Sequence, residues 1–172
     1  MILEKDPKVT RIDTAQALAE CMTKVKDAVA LAMKQAEDLQ EGSYWGMLNA
    51  VIYMYRICKQ LSKSVYAREC TKFLIFGISV MESNVILLSI KYLTWRVALY
   101  AELSYIYETL GAIKAANKVV THALTEVNKV KEYEECELPI PEISRETLDK
   151  AYASLRVLEF RYGLATNTIP ID

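Results

Sequence analysis

Between Pro7 and Pro139 the chain contains no proline. Proline breaks helix interiors, so this long gap permits continuous helix over most of the molecule. Inside the gap, apolar residues recur at steps of three and four, the spacing of one helix face. The expected class is therefore all-α: stacked antiparallel helix hairpins rather than a sheet-based fold. At 172 residues the chain is about one domain's worth. With 52% hydrophobic residues it has the material for a real core.

The spacing predicts helices over roughly 15–40, 44–63, 65–81, 92–110, 112–131 and 144–162. In the first, Leu18, Met22, Val25, Val29, Ala32, Ala36 and Leu39 form the inward stripe, with Asp13 and Gln16 at capping-box spacing and Gly42 as the stop. In the second, Trp45, Leu48, Val51, Ile52, Tyr55, Cys58 and Leu61 face one way behind a Ser43 cap. The third is apolar almost all round in its second half, as in a helix buried between neighbours. Residues 82–90 suit a loop, a short helix or a strand. Residues 1–12 read as irregular, 13–131 as the helical-repeat domain and 132–143 as an exposed acidic linker holding Pro139 and Pro141. A last helix follows, capped by Ser144 and ended by Gly163, with Leu148, Ala151, Leu155, Leu158 and either Phe160 or Tyr162 inward. Residues 164–172 form a tail.

The aromatic run at 91–111, KYLTWRVALYAELSYIYETLG, fits a tetratricopeptide-like template whose period is about 34 residues. With Gly111 between the helices, Tyr100, Leu103, Ser104 and Tyr107 take the aromatic, leucine, small and tyrosine positions. Ala116, Val120, Ala123 and Leu124 take the small, bulky, small and leucine positions of the next helix. Small residues let two helices approach, and large ones fill the space beside them. A weaker match centres on Ala67, so the pattern is an irregular stack rather than a regular array. Tyr100, Leu103 and Tyr107 are thus packing residues, while Tyr105 and Glu108 point to the other side, where such folds carry a concave groove.

Chemistry-bearing patterns are sparse. The cysteines Cys21, Cys58, Cys70 and Cys136 form no CxxC pair, and His122 is the only histidine. A zinc site of several histidines is excluded, and buried reduced thiols are the simplest reading. No cofactor, no glycine-rich phosphate loop and no catalytic constellation is expected, so the chain reads as a non-enzyme. The first residues, MILEKDPKVTRID, are charged and have no apolar core, unlike a signal peptide. FLIFGISVM and VILLSI are interrupted by Glu82, Ser83 and Asn84 and fall short of the ~20 residues a membrane span needs. A net charge of −1 and the lack of aromatics interleaved with base-binding cations argue against nucleic acid. Arg56, Lys59, Lys63, Arg68 and Lys72 form a basic cluster around the second turn, and Glu132, Glu134, Glu135, Glu137 and Glu142 an acidic one. Both read as solvated surfaces or as docking by charge complementarity, acidic tubulin tails being one partner for the basic cluster.

The segment MESNVILLSIKYLTWRVALYAELSYIYETLGAIKAANKVVTHALTEVNKVKEYEE resembles the cilia- and flagella-associated protein 54 family. Glu82 and Ser83 match the family's Glu-Ser step, and Lys91, Tyr92, Leu93, Trp95, Arg96, Leu99 and Tyr100 match its K-Y-L-x-W-R-x-x-L-Y element. The resemblance is strongest over roughly 80–135. It implies a non-enzymatic scaffold of the ciliary axoneme, part of a projection on the C1 microtubule of the central pair that supports motility. Other projection proteins and calmodulin would be its neighbours, and no nucleic acid or membrane would be bound. Trp95 would anchor the start of its helix, and Arg96 would pair with a carboxylate there or on a partner. The alternative is a free-standing, cytosolic tetratricopeptide-like adaptor that binds short peptides, which cation pairs on the concave face would favour; Ala98 and Ala101 stand there instead.

Overall fold

The computed structural model describes residues 7–35, 43–136 and 140–166. These residues form seven α-helices and one 3₁₀ turn, with no strand among them. They are α1 (Pro7–Gln35), α2 (Ser43–Leu61), α3 (Ala67–Ser83), α4 (Val85–Leu88), the 3₁₀ turn Ile90–Tyr92, α5 (Leu93–Thr109), α6 (Ile113–Glu135) and α7 (Glu142–Ala165). The chain is all-α. Each long helix packs on the next long helix, α3 on α5 included, and α1 with α3, α2 with α5 and α5 with α7 make further contacts. Contacts pair residues placed symmetrically about each turn, such as Cys58 with Cys70, Tyr100 with His122, and Asn128 with Tyr152. Successive long helices therefore run antiparallel.

The α5–α6 hairpin follows the template. Tyr100, Leu103, Ser104, Ala116, Val120, Ala123 and Leu124 are all buried. Ser104 satisfies its hydroxyl by donating to the Ala101 carbonyl at 2.8 Å, which makes it tolerable at a buried small position. Gly111 has a φ of 75°. Its N–H reaches the Glu108 carbonyl at 2.9 Å, and the Ala112 N–H reaches the Tyr107 carbonyl at 2.8 Å. This is a Schellman close, which needs a left-handed residue at the position glycine occupies.

At Gly77 three helices come close together. A Cβ there would lie 3.2 Å from Val51 Cγ1 and 3.6 Å from Leu99 Cδ2, so α2, α3 and α5 meet over a residue without a side chain. Cys58 and Cys70, on the same two helices α2 and α3, are fully buried free thiols, Cys58 donating to the Cys70 carbonyl at 3.8 Å. The contact with Cys70 and burial hold the Cys58 thiol far above its ordinary range, which suits packing and not nucleophilic work.

Several element ends differ from the expected ones. The first helix begins at Pro7, within the segment expected to be irregular, because proline suits the first helical turn. Asp13 and Gln16 then lie inside the helix and cannot be its cap. Of the expected inward stripe, Met22 and Val29 are buried. The side chain of Ala32, and Ala36, Leu39 and the Gly42 stop, lie outside the described residues. In α2 the Trp45 side chain faces solvent at 65% exposure, and Met47 and Met54 fill the core instead. Flexible methionine accommodates an irregular gap that a rigid indole cannot.

The acidic linker is shorter than expected. α6 continues to Glu135, because Val127 and Val130 still face the core and Lys131 pairs with Glu135 at 3.6 Å. Glu137 and Pro139 lie outside the described residues. In α7, Pro141 holds the cap position and Ser144 lies in the first turn. Gly163 does not end the helix but is buried within its last turn, and Tyr162, not Phe160, is the inward aromatic. No described helix is long and apolar enough to cross a membrane.

Candidate protein-interaction site

The K-Y-L-x-W-R element sits where the chain crosses from α3 to α5. Asn84 breaks the end of α3 with an extended backbone (φ −108°, ψ 116°). Its Oδ1 accepts from the N–H groups of Ile86 at 3.0 Å and Leu87 at 3.3 Å, which starts α4 one residue later. Ser89 repeats the device, its Oγ accepting from Lys91 N–H at 3.4 Å. Residues 85–92 are therefore short helical turns, not a strand, with Leu87 and Tyr92 anchored in the core.

So short a helix leaves its last carbonyls without intrahelical partners. Arg96, one turn into α5, supplies a donor: its Nη2 reaches the Leu88 carbonyl at 2.6 Å. Arg96 is only 2% exposed, the largest fully buried side chain in the molecule's described part. Burial lowers its pKa, opposed by the more distant charges of Glu82 and Glu126. No carboxylate of the described residues forms an ion pair with it, and its Nε–H has no hydrogen-bond partner. Of the expected pairings, with a carboxylate at the start of the helix or on a partner, the first is not made among the described residues, where Arg96 meets a backbone carbonyl. Trp95 is half-buried and meets Tyr55 of α2 edge-to-face, ring centroids 6.1 Å apart at 77°. Such a pair contributes about 1 kcal/mol beyond its buried area.

Arg96 forms part of the wall of a 490 Å³ cavity between the α4 connector and the last turns of α6. On its rim Glu126 pairs with Lys129 at 2.6 Å, and Val85 and Tyr133 are strongly exposed. A second, 320 Å³ hollow lies over α3, α5 and α6. There Glu82 accepts the Tyr100 hydroxyl and lies 3.3 Å from His122 Nε2. The Tyr100 and His122 rings stand edge-to-face at 5.8 Å. Burial raises the Glu82 pKa, with the His122 charge acting against it. The sequence placed Glu126 four residues from His122, but α3 brings Glu82 to it instead. The template gives Tyr100 a packing role in the α5–α6 hairpin and carries no signal for its contact with Glu82 of α3. No group of three metal-ligating side chains occurs among the described residues.

The remaining candidates are dispersed. Tyr105 is half-buried on α5. Glu108 is engaged from within the chain: it accepts from Arg161 Nη2 and, at 3.2 Å, from the Tyr162 hydroxyl. α7 therefore covers the side of α5 where a groove was expected. Arg56, Lys59 and Lys63 are exposed around the α2–α3 turn, Lys59 Nζ lying 5.6 Å from the Tyr55 ring centre. Trp95 and Lys59 thus share Tyr55, which links the aromatic element to the basic cluster. Lys72 of that cluster is paired with Glu69 at 2.6 Å.

Residues 2–165 match the profile of the family described as "Cilia- and flagella-associated protein 54". The chain belongs to the cilia- and flagella-associated protein 54 family. Among curated members, it is 27% identical over 156 residues to "Cilia- and flagella-associated protein 54" of Chlamydomonas reinhardtii, covering 91% of this chain and 5% of that protein. It is 32% identical over 130 residues to the Mus musculus protein of that name, 73% of this chain and 4% of the other. The Homo sapiens protein is 29% identical over 126 residues, again 73% and 4%. The chain thus spans about one twentieth of the length of the family members it matches. The match extends well beyond the W-R element and takes in α1 through α7.

Proposed function

We propose that this chain is a non-enzymatic, protein-binding scaffold module of the ciliary or flagellar axoneme. In this reading it helps to build a C1 projection of the central apparatus and so supports motility. Its partners are other projection proteins, with calmodulin and tubulin as further ligands. The observation that carries the reading is the family match across all seven helices, residues 2–165. The architecture is consistent with it: a stack of short-looped hairpins, each packed on its neighbours, presents extended side surfaces.

One structural feature favours the scaffold over the free-standing peptide adaptor. The face of α5 that carries Glu108 is covered by α7 through Arg161 and Tyr162. A peptide would have to displace part of the fold to lie there.

The test is fractionation of a tagged native protein from flagellated cells. The scaffold remains with demembranated axonemes after detergent and moderate salt. An adaptor washes out with the soluble fraction, and that result would remove the proposal.

A further inference from the structure

The outward face of α2 carries side chains that the fold does not use. Trp45, Asn49, Tyr53, Arg56 and Gln60 recur at steps of four, four, three and four, which places them on one side of the helix. Trp45 is 65% exposed and Tyr53 61%, so neither ring serves the core. Arg56 is exposed on the same side, and the exposed Lys59 and Lys63 extend the cationic end of this ridge into the α2–α3 turn. No aspartate or glutamate occurs between Glu41 and Glu69. None of Arg56, Lys59 and Lys63 forms an ion pair with a described residue. By contrast, Lys129 and Lys131 on α6 and Lys150 and Arg156 on α7 each pair with a glutamate three or four residues away. The carbonyl end of α2 favours the cations nearest to it, Lys59 and Lys63. It accounts neither for Arg56 nor for two aromatic rings left in water.

We infer that the outward ridge of α2 is a docking surface for an acidic, extended segment of a partner protein, whose carboxylates meet Arg56, Lys59 and Lys63 and whose apolar residues cover Trp45 and Tyr53. Charge complementarity decides the partner: the ridge presents cations without counter-charges and so selects a segment rich in Glu or Asp. Tryptophan, tyrosine and arginine are the side chains that most often anchor protein interfaces, and here they share one face. Aromatic and cationic residues are segregated along the ridge, not interleaved. That order suits a polypeptide with an apolar and an acidic part better than a single-stranded nucleic acid, whose bases stack beside each phosphate. Lys59 Nζ lies 5.6 Å from the Tyr55 ring centre, and Trp95 meets that ring edge-to-face. One cation is therefore restrained beforehand, which lowers the ordering cost of binding. From Trp45 to Leu61 the ridge is about 24 Å long, the reach of roughly seven or eight extended residues. The inference names a partner chemistry for the scaffold reading and rests on that reading only for where the partner is found.

The test is fluorescence anisotropy with the purified 172-residue chain. The labelled probes are Leu-Phe-Gly-Gly-Glu-Glu-Glu-Glu, its form with Gln for each Glu, and its form with Gly-Gly for Leu-Phe. At low salt the first peptide binds more tightly than the Gln form by about tenfold or more, and the preference shrinks as salt rises. Arg56→Glu combined with Lys59→Glu abolishes the preference and transfers it to a peptide with Lys for each Glu. Trp45→Ser combined with Tyr53→Ser, changes at exposed positions that leave the fold intact, brings the first peptide to the level of the Gly-Gly form. Equal binding of the Glu and Gln peptides overturns the proposal, as does silence at millimolar peptide. An unchanged preference in the double charge variant also overturns it, since the acidic peptide would then bind elsewhere. A single-stranded oligothymidylate that binds more tightly than the Glu peptide, and is lost in the same variant, assigns the ridge to nucleic acid instead. A dimer in sedimentation that Arg56→Glu dissolves gives the ridge to a second copy of this chain and likewise overturns the proposal. None of these outcomes bears on axonemal retention, so the two proposals fail separately.

Discussion

Tyr162 donates its hydroxyl to Glu108 across 3.2 Å, tying the last helix of the stack to the turn end of α5. Burial raises the tyrosine's pKa and keeps it a donor. Arg161 reaches the other carboxylate oxygen of Glu108. One glutamate therefore ties two residues of α7 to α5.

Removing that hydroxyl should be a modest, readable loss. Tyr162→Phe is expected to lower stability by about 1 kcal/mol, the net worth of one hydrogen bond. Tyr162→Ala adds a cavity and should cost about 3 kcal/mol or more. Urea titration gives both numbers. Hydrogen exchange should show the loss concentrated in α7, whose amides open before those of α5 and α6.

Gly111 carries the hairpin turn at φ 75° with open space around it. Its substitution by alanine introduces left-handed strain and no clash. The expected cost is about 1–2 kcal/mol, measured by thermal or urea unfolding. Asparagine, which tolerates this conformation better, should recover part of the loss.

Gly77 gives the opposite case, a limit of space on an ordinary helical backbone. An alanine Cβ would stand 3.2 Å from Val51 Cγ1. The gain in helix propensity, about 1 kcal/mol, then offsets most of the crowding, and Gly77→Ala should be near neutral. Gly77→Val must push α2 from α3 and is expected to cost about 1–3 kcal/mol. A double variant, Gly77→Val with Val51→Ala, should recover stability if Val51 is the obstacle.

Glu82 predicts a pH signature. Its pKa is raised in the fold, chiefly by burial, so the folded state holds this proton more tightly than the unfolded chain. Its contribution is full below the ordinary carboxylate value of about 4.3 and is lost as pH rises through the folded value. Glu82→Gln should remove that downward slope while retaining an acceptor for Tyr100. Unfolding midpoints of both proteins across the acid range provide the check, and parallel curves would refute it.

The fold was legible because its signals are local. The proline-free gap, the three- and four-residue spacing and Gly111 between two small-and-large patterns all act within a few residues. Element ends were less legible where tertiary packing overrides local chemistry. Pro7 starts a helix that Asp13 was expected to start, and Val127 and Val130 carry α6 into the acidic segment. Trp45 fits the inward stripe by spacing, but methionines take the core.

The candidate site was legible in composition and not in arrangement. Trp95 and Arg96 stand out as residues, yet Arg96's acceptor is a carbonyl, which no side-chain pattern encodes. The Glu82–His122 and Glu108–Tyr162 contacts join residues on different helices, so their spacing along the chain carries no periodic signal.

On the proposed function, the chain helps to build a projection of the central apparatus. Electron tomography of axonemes from cells lacking it tests this most directly. The account predicts that density is lost from one C1 projection, with disturbed beating, and that both return when the chain is restored. Intact projections in the deletion, with the tagged protein diffuse in the cell body, would contradict it.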